Sequence, residues 1–265
     1  MQEETRALVQ KLYKRIRDCK GIDNCPGKSS PCPIVLAPKD EQVEIMVITE
    51  QPGKRTWENM AKELKKRKNI AKELRELESE IRELCTSNRE KLYEMFREYV
   101  ECEEGGALGE LKKYLGDEFT NSIKHGGRKY YWTHFIKCPG QIREKRENEK
   151  VDEEVCANTY LLEEIFALEP KLILSFGRSA SEWILRHSTL GKKKWGVVRE
   201  EIRSAVRSGF KAQGMEARLY EIAKETCIKA GDRKHETKVC FFYHPSGRNW
   251  RRCWNDEIFK ALKAP

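Results

Sequence analysis

Val43-Glu44-Ile45-Met46-Val47-Ile48-Thr49, closed by Glu50-Gln51-Pro52-Gly53, is the stretch on which the fold turns. An almost unbroken run of β-branched and long apolar side chains suits a strand covered on both faces, and a Pro-Gly turn stops it abruptly. Three further stretches read the same way. Tyr130 to Ile136 ends at Lys137-Cys138-Pro139-Gly140, Lys171 to Phe176 ends at Gly177, and Lys238 to Tyr243 runs into His244-Pro245-Ser246-Gly247. Between them lie an amphipathic helix over Asp152 to Leu168 and a helix opening at Ser179 to Leu185, and a last helix spans about Asn255 to Leu262. Alternation of strand and helix is the pattern of a parallel sheet. The expected fold is α/β, a three-layer α/β/α sandwich with a central four-stranded parallel sheet plus helical insertions. In open sheets of this kind the ligand crevice lies at the carboxyl ends of the strands, where Glu50, Gln51, His134, Cys138 and His244 stand.

Working outward, residues 4 to 18 carry Leu8, Val9, Leu12, Tyr13 and Ile16 at helical spacing and lead into a loop, Cys19 to Pro33, rich in Gly, Pro, Ser and Cys. From Trp57 to Tyr99 an apolar seam of Ile70, Leu74, Leu77, Ile81 and Leu84 runs among Lys, Arg and Glu. With a break and N-cap at Thr86-Ser87-Asn88, this reads as two helices packed as a hairpin. Residues 195 to 232 read as mostly helical, broken at Gly209 and Gly214. The expected organisation is one domain over residues 1–265, with insertions at about 54–104 and about 195–232. The seam must meet either the core or a second subunit, which leaves a homodimer through the hairpin open.

Composition bounds the partners. The chain has 265 residues, 38% apolar and 36% charged, with a net charge of +9. That balance suits a polyanion such as nucleic acid, and it equally suits the lysine-rich surface of a heat-adapted protein. No run approaches the roughly 18–20 consecutive apolar residues of a membrane span. Met1 to Arg6 is polar and lacks a secretory apolar core, so a cytoplasmic address without membrane contact is expected. Ten cysteines in a reducing compartment are not expected to form a disulfide framework. Either some bind metal or most are small buried hydrophobes.

Taken in order, Glu50-Gln51-Pro52-Gly53, then Thr133-His134-Phe135-Ile136-Lys137-Cys138, then Glu154 to Gly177, then His244-Pro245-Ser246 resemble the motifs of the uracil-DNA glycosylase superfamily, closest to its iron–sulfur family 4 branch. The resemblance covers roughly residues 10 to 53, 105 to 185 and 236 to 262. It implies a hydrolase of base-excision repair that removes uracil or a related deaminated base from DNA, or a catalytically inactive DNA-binding relative that keeps the fold and the metal cluster. It also implies a [4Fe-4S] cluster on Cys19, Cys25, Cys138 and Cys156, with Cys32 as an alternative for one amino-terminal ligand. Zinc on the same sulfurs or unmetallated thiols are the other readings. The remaining cysteines, at 85, 102, 227, 240 and 253, read as core thiols.

The same resemblance assigns roles. His244 corresponds to the histidine that donates to the departing base anion. Glu50 corresponds to the acidic residue of the first turn, orienting water or accepting hydrogen bonds from turn amides. Gln51 stands where other branches carry an Asp, and an amide cannot act as a general base. His134 replaces the base-reading Asn, so one donor and one acceptor on opposite sides of a ring stand in for an amide. In the loop after the His-Pro turn, Ser246, Arg248, Trp250 and Arg251 are the expected DNA contacts, with Trp250 either a wedge in the duplex or an anchor for the last helix. Tyr99 and Trp57 are candidates to stack on the everted base.

Overall fold

The computed structural model describes residues 2–25, 31–38, 42–52, 56–102, 105–139, 152–245 and 249–264. Its elements run in the order α1 (Gln2–Arg17), β1 (Ile45–Thr49), α2 (Thr56–Lys68), α3 (Leu74–Ser87), α4 (Arg89–Cys102), α5 (Gly106–Leu115), α6 (Asp117–His125) and β2 (Tyr130–His134). A π-helical turn (Ala157–Leu161) then leads into α7 (Leu162–Leu168), followed by β3 (Leu172–Phe176), α8 (Arg178–Arg186), α9 (Trp195–Arg207), α10 (Met215–Ile222), β4 (Lys224–Ala230), β5 (Arg233–Phe242) and α11 (Asn249–Lys263).

Every residue of β1 and of β3 is buried. Successive side chains on a strand point to opposite faces, so both faces of the sheet centre are covered. The four expected strands pair in parallel as β2-β1-β3-β5, with Thr49 opposite both His134 and Phe176, and Phe176 opposite Phe242. Their carboxyl ends are therefore level. The chain leaves β1 for β2 on one side and returns to β3 on the other, which makes the β1/β3 boundary the switch point where open α/β sheets place their ligands.

Three expectations about the architecture are corrected. The sheet has five strands and is mixed, because β4 pairs antiparallel with β5 at the edge. Residues 195–232 are helical over α9 and α10 and close with this edge strand. In Lys224–Ala230, Thr226 and Ile228 are buried while Glu225 and Lys229 are exposed, the period of two that marks a half-covered strand. Gly231-Asp232 is a two-residue hairpin turn, with Gly231 at φ +59. The first insertion holds three helices, not two: Asn69 turns left-handed at φ +47 and ends α2 before α3 begins. The expected break further on is present, with Asn88 Oδ1 accepting the N–H of Lys91 at 3.1 Å to cap α4. Leu77 and Ile81 of the seam are buried in the chain's own core, against which Ile70, Leu74 and Leu84 pack. The outer faces carry i,i+4 pairs such as Lys62–Glu58 and Arg82–Glu78.

The third correction concerns thiols. Cys32 and Cys85 form a disulfide across 53 residues, fastening the amino-terminal loop to α3. This removes Cys32 as an alternative metal ligand and Cys85 as a free core thiol.

Beneath the level strand ends lies a buried ion pair. Lys137 is 1% exposed and bonds Glu164 of α7, itself fully buried. Glu164 also accepts the Tyr131 hydroxyl at 2.5 Å and the Thr133 hydroxyl at 3.2 Å, and Lys137 Nζ donates to Thr133 Oγ1 at 2.5 Å. Ions taken out of water are tolerated only when matched in this way, and leaving one unmatched is costly. Glu164→Ala is expected to lower the unfolding free energy by about 3–5 kcal/mol, and the joint change Lys137→Met with Glu164→Leu to cost markedly less. Urea titration of the two variants checks this, and equal losses would show that the unpaired charge is not the cause.

Candidate active site at the strand ends

Glu50 leaves β1 and lies across the start of α8. Its Oε1 accepts the Ser179 N–H at 3.3 Å, placing a negative charge at a helix amino terminus where unpaired N–H groups favour it. The approach is close because residue 177 is glycine. A Cβ there would stand 2.5 Å from Glu50 Cγ, and the backbone at φ +112 is one that side chains strain against. Glu50 thus bridges the ends of β1 and β3 at the switch point.

His244 follows β5 after one further residue and is half-buried. Asn255 of α11, fully buried, fixes its approach: Asn255 Oδ1 accepts the Tyr243 N–H at 3.1 Å, and Asn255 Nδ2 donates to the Tyr243 carbonyl at 2.9 Å. Burial pulls the His244 pKa below the ordinary histidine value, and the nearby Glu50 carboxylate opposes that pull. Around the same strand end the Arg199 guanidinium packs 3.8 Å over the Tyr243 ring and 4.5 Å over Trp195, while the exposed Arg251 lies 5.7 Å over Tyr243.

His134, at the end of β2, is buried and bonds Thr49 Oγ1 through Nδ1 at 2.7 Å. Burial first, then the charge of Lys137 and the nearness of His244, hold its pKa well below the ordinary value, so the ring is neutral. The influence of His244 on His134, together with that of Glu50 on His244, brings three of the expected residues into one electrostatic neighbourhood. Gln51 stands beside them in sequence, half-buried, with its Oε1 buried and lacking a hydrogen-bond partner.

The stacking candidates are placed differently. Trp57 is a buried residue of α2 packed in the core. Tyr99 of α4 is also buried, and a chain of rings links it to the site: Tyr99 on Phe96 at 5.9 Å, Phe96 stacked on Trp132 at 6.2 Å, and Trp132 edge-on to His134 at 4.7 Å. Trp132, which the strand pattern did not single out, is the ring in direct contact with His134. Ser246 and Arg248 lie outside the described residues, as does the Trp250 side chain.

The four expected ligand cysteines are neighbours. The Cys25 and Cys156 thiols hydrogen-bond each other, Cys138 feels both Cys25 and Cys19, and Tyr160 bonds Cys19 while feeling Cys156. Backbone N–H groups of Cys32 and Lys137 point at the Cys138 and Cys156 sulfurs at 3.3 and 3.4 Å. Burial pushes the Cys138 thiol up to about 12, and the hydrogen bond from Cys25 followed by burial raises Cys156 well above its ordinary value. As they stand, no three His, Cys, Asp or Glu side chains among the described residues form a group that could hold a metal ion. The donor set itself, four thiols from three segments distant in sequence with amide N–H groups aimed at sulfur, suits an iron–sulfur cluster.

Two residues central to the site, Glu164 and Asn255, escaped the sequence reading. Glu164 carried a usable signal, a carboxylate set among Leu161, Leu162, Ile165 and Leu168 on the apolar face of its helix. No helix among the described residues is long and apolar enough to cross a membrane. A family model described as the uracil DNA glycosylase superfamily matches residues 38–263. No curated relative matches the chain.

If Glu50 depends on the space at residue 177, Gly177→Ala should cost about 1–3 kcal/mol of stability and displace the carboxylate from Ser179. A crystal structure of the variant with Glu50 unmoved would contradict the dependence.

Proposed function

We propose, for a chain that belongs to the uracil DNA glycosylase superfamily, that it hydrolyses the N-glycosidic bond of a deaminated base, uracil or a related one, in DNA. The observation that supports this reading is that Glu50, His134 and His244 stand at the level carboxyl ends of β1, β2 and β5, with His244 influencing His134 and Glu50 influencing His244. Duplex DNA hides its glycosidic bonds, so the target nucleotide must leave the stack and enter a crevice of this kind. As the bond breaks, negative charge grows on the base and positive charge on the sugar. A fixed N–H donor aimed at the base carbonyl lowers that barrier, because its orientation is settled before the reaction begins. His244 is that donor, neutral at pH 7 because burial depresses its pKa. Glu50 faces the opposite charge: it holds the start of α8 and lies beside the position where a cationic sugar would form. Gln51 cannot accept a proton, so its part is to orient.

The net charge of +9 and the exposed Arg251 beside the His-Pro turn support contact with the phosphate backbone. Ser246, Arg248 and Trp250, the last in the first turn of α11, remain our assigned contacts.

Cys19, Cys25, Cys138 and Cys156 would hold a [4Fe-4S] cluster, which ties the amino-terminal loop to the segments after β2 and before α7. Its part is structural, and the reaction above does not pass through it. Protein purified without oxygen is expected to be brown with four irons and four sulfides per chain. Cys25→Ala and Cys156→Ala should lose both, and Cys227→Ala neither. Colourless protein with stoichiometric zinc would replace the cluster by the tetrahedral alternative.

The activity test is a panel of oligonucleotides carrying uracil, hypoxanthine or xanthine, scored for abasic product. Excision is expected, reduced about 100-fold or more in His244→Ala, the scale of losing one oriented donor. DNA binding without any abasic product would instead identify a silent relative.

A second expectation concerns pH. The apparent second-order rate constant reports ionisations of the free enzyme. A depressed pKa means His244 takes up its proton only below the ordinary value of 6.5. The profile of kcat/KM should therefore stay flat from about pH 8 down to 6.5, with any His244-dependent change confined to more acid solution. An inflection at or above 6.5 that vanishes in His244→Gln would contradict this.

A further inference from the structure

The hydrogen bonds around Thr49 decide which face His134 shows to a base. Thr49 Oγ1 has one proton to give and two lone pairs. The Trp132 indole N–H can only donate, and it donates to Thr49 Oγ1 at 3.1 Å. The hydroxyl proton then has two acceptors in reach: His134 Nδ1 at 2.7 Å and the Thr133 carbonyl at 3.5 Å. The first is the ordinary length of a hydroxyl bond, and the second is at the limit of one. Given to Nδ1, the proton satisfies both close contacts, and the neutral ring must carry its own proton on Nε2. The opposite tautomer would leave the hydroxyl to the 3.5 Å contact alone. With Nδ1 occupied, Nε2 is the ring nitrogen without a hydrogen-bond partner among the described residues.

A second atom is also without a partner. Gln51 Oε1 is a buried acceptor that receives no hydrogen bond, a costly state in a protein interior unless something supplies the donor. Gln51 lies two residues beyond Thr49, on the turn that continues the strand paired with His134.

We propose that Thr49 and Trp132 act as positioning residues that hold His134 as its Nε2–H tautomer, and that this N–H together with Gln51 Oε1 reads the carbonyl and adjoining ring N–H of a deaminated base, purine or pyrimidine. Uracil presents O4 beside N3–H, and hypoxanthine presents O6 beside N1–H, so one donor and one acceptor match both. Cytosine and adenine present the reverse order, an amino donor beside a bare ring nitrogen, and leave both protein groups unmatched. A single Asn amide offers the donor and the acceptor from one rigid plane. Here they come from two side chains on adjacent strand ends, a division that does not tie recognition to one ring size. Thymine shares uracil's edge, so only the walls around its methyl group can refuse it.

This inference rests on the glycosylase reading, and the experiment separates the two. Full-length protein labelled with 15N-histidine would be examined by long-range 1H–15N correlation, and excision measured on oligonucleotides carrying uracil or hypoxanthine. We expect His134 protonated on Nε2 and rates for the two bases within about tenfold, the effect of one hydrogen bond's difference. Thr49→Val should slow both by about tenfold or more and lose the tautomer preference, while Thr49→Ser keeps both. A proton on Nδ1 in the wild type, or uracil released with hypoxanthine refused, overturns the inference and leaves the glycosylase intact. Wild-type protein that releases neither base overturns the glycosylase reading and this inference with it.

Discussion

The buried contact between Lys137 and Glu164 joins the two halves of this molecule's chemistry. Lys137 stands between His134 on one side and Cys138 on the other, and Glu164 lies eight residues beyond Cys156. A pair fully withdrawn from water must hold a narrow geometry, because each charge would be left unmatched by even a small separation. The hydroxyls of Tyr131 and Thr133 fill the remaining positions on the carboxylate. The end of β2 therefore cannot drift relative to α7, and the His134 ring and the Cys138 and Cys156 sulfurs inherit that rigidity.

The same pair shapes the electrostatics above it. A permanent positive charge at Lys137 discourages a proton on His134, and burial acts in the same direction. Two neutral histidines at neighbouring strand ends are hydrogen-bonding groups and not charges, which suits the proposed reading of a neutral base. The negative charge at these strand ends comes from Glu50, held at the start of α8 by the absence of a side chain at Gly177. Donors on the base side and a carboxylate on the other match the charge separation of a breaking glycosidic bond.

Much of this was legible beforehand because strands covered on both faces leave an unmistakable apolar run. Ile45–Thr49 and Leu172–Phe176 could be read directly, and level parallel ends followed from them. The edge strand Lys224–Ala230 was not, since its charged outer residues mimic a solvated helix and its alternation spans only seven residues. The three-helix form of the first insertion hinged on a left-handed Asn69, for which asparagine is permitted but not required. Contacts remote in sequence, such as Cys32 with Cys85 or Asn255 with Tyr243, depend on the finished packing and have no local signal. Trp57 and Tyr99 were aromatic in the right region, yet packing turned both inward and left Trp132 beside His134.

The central claim is that an everted nucleotide occupies the crevice where β1, β3 and β5 end. A crystal structure with duplex DNA carrying a 2′-fluorinated deoxyuridine, whose glycosidic bond resists cleavage, tests it most directly. The account predicts the uracil out of the helix, between His134 and His244, with its sugar beside Glu50. A uracil still stacked in the duplex, or everted against any other surface of the protein, would contradict it.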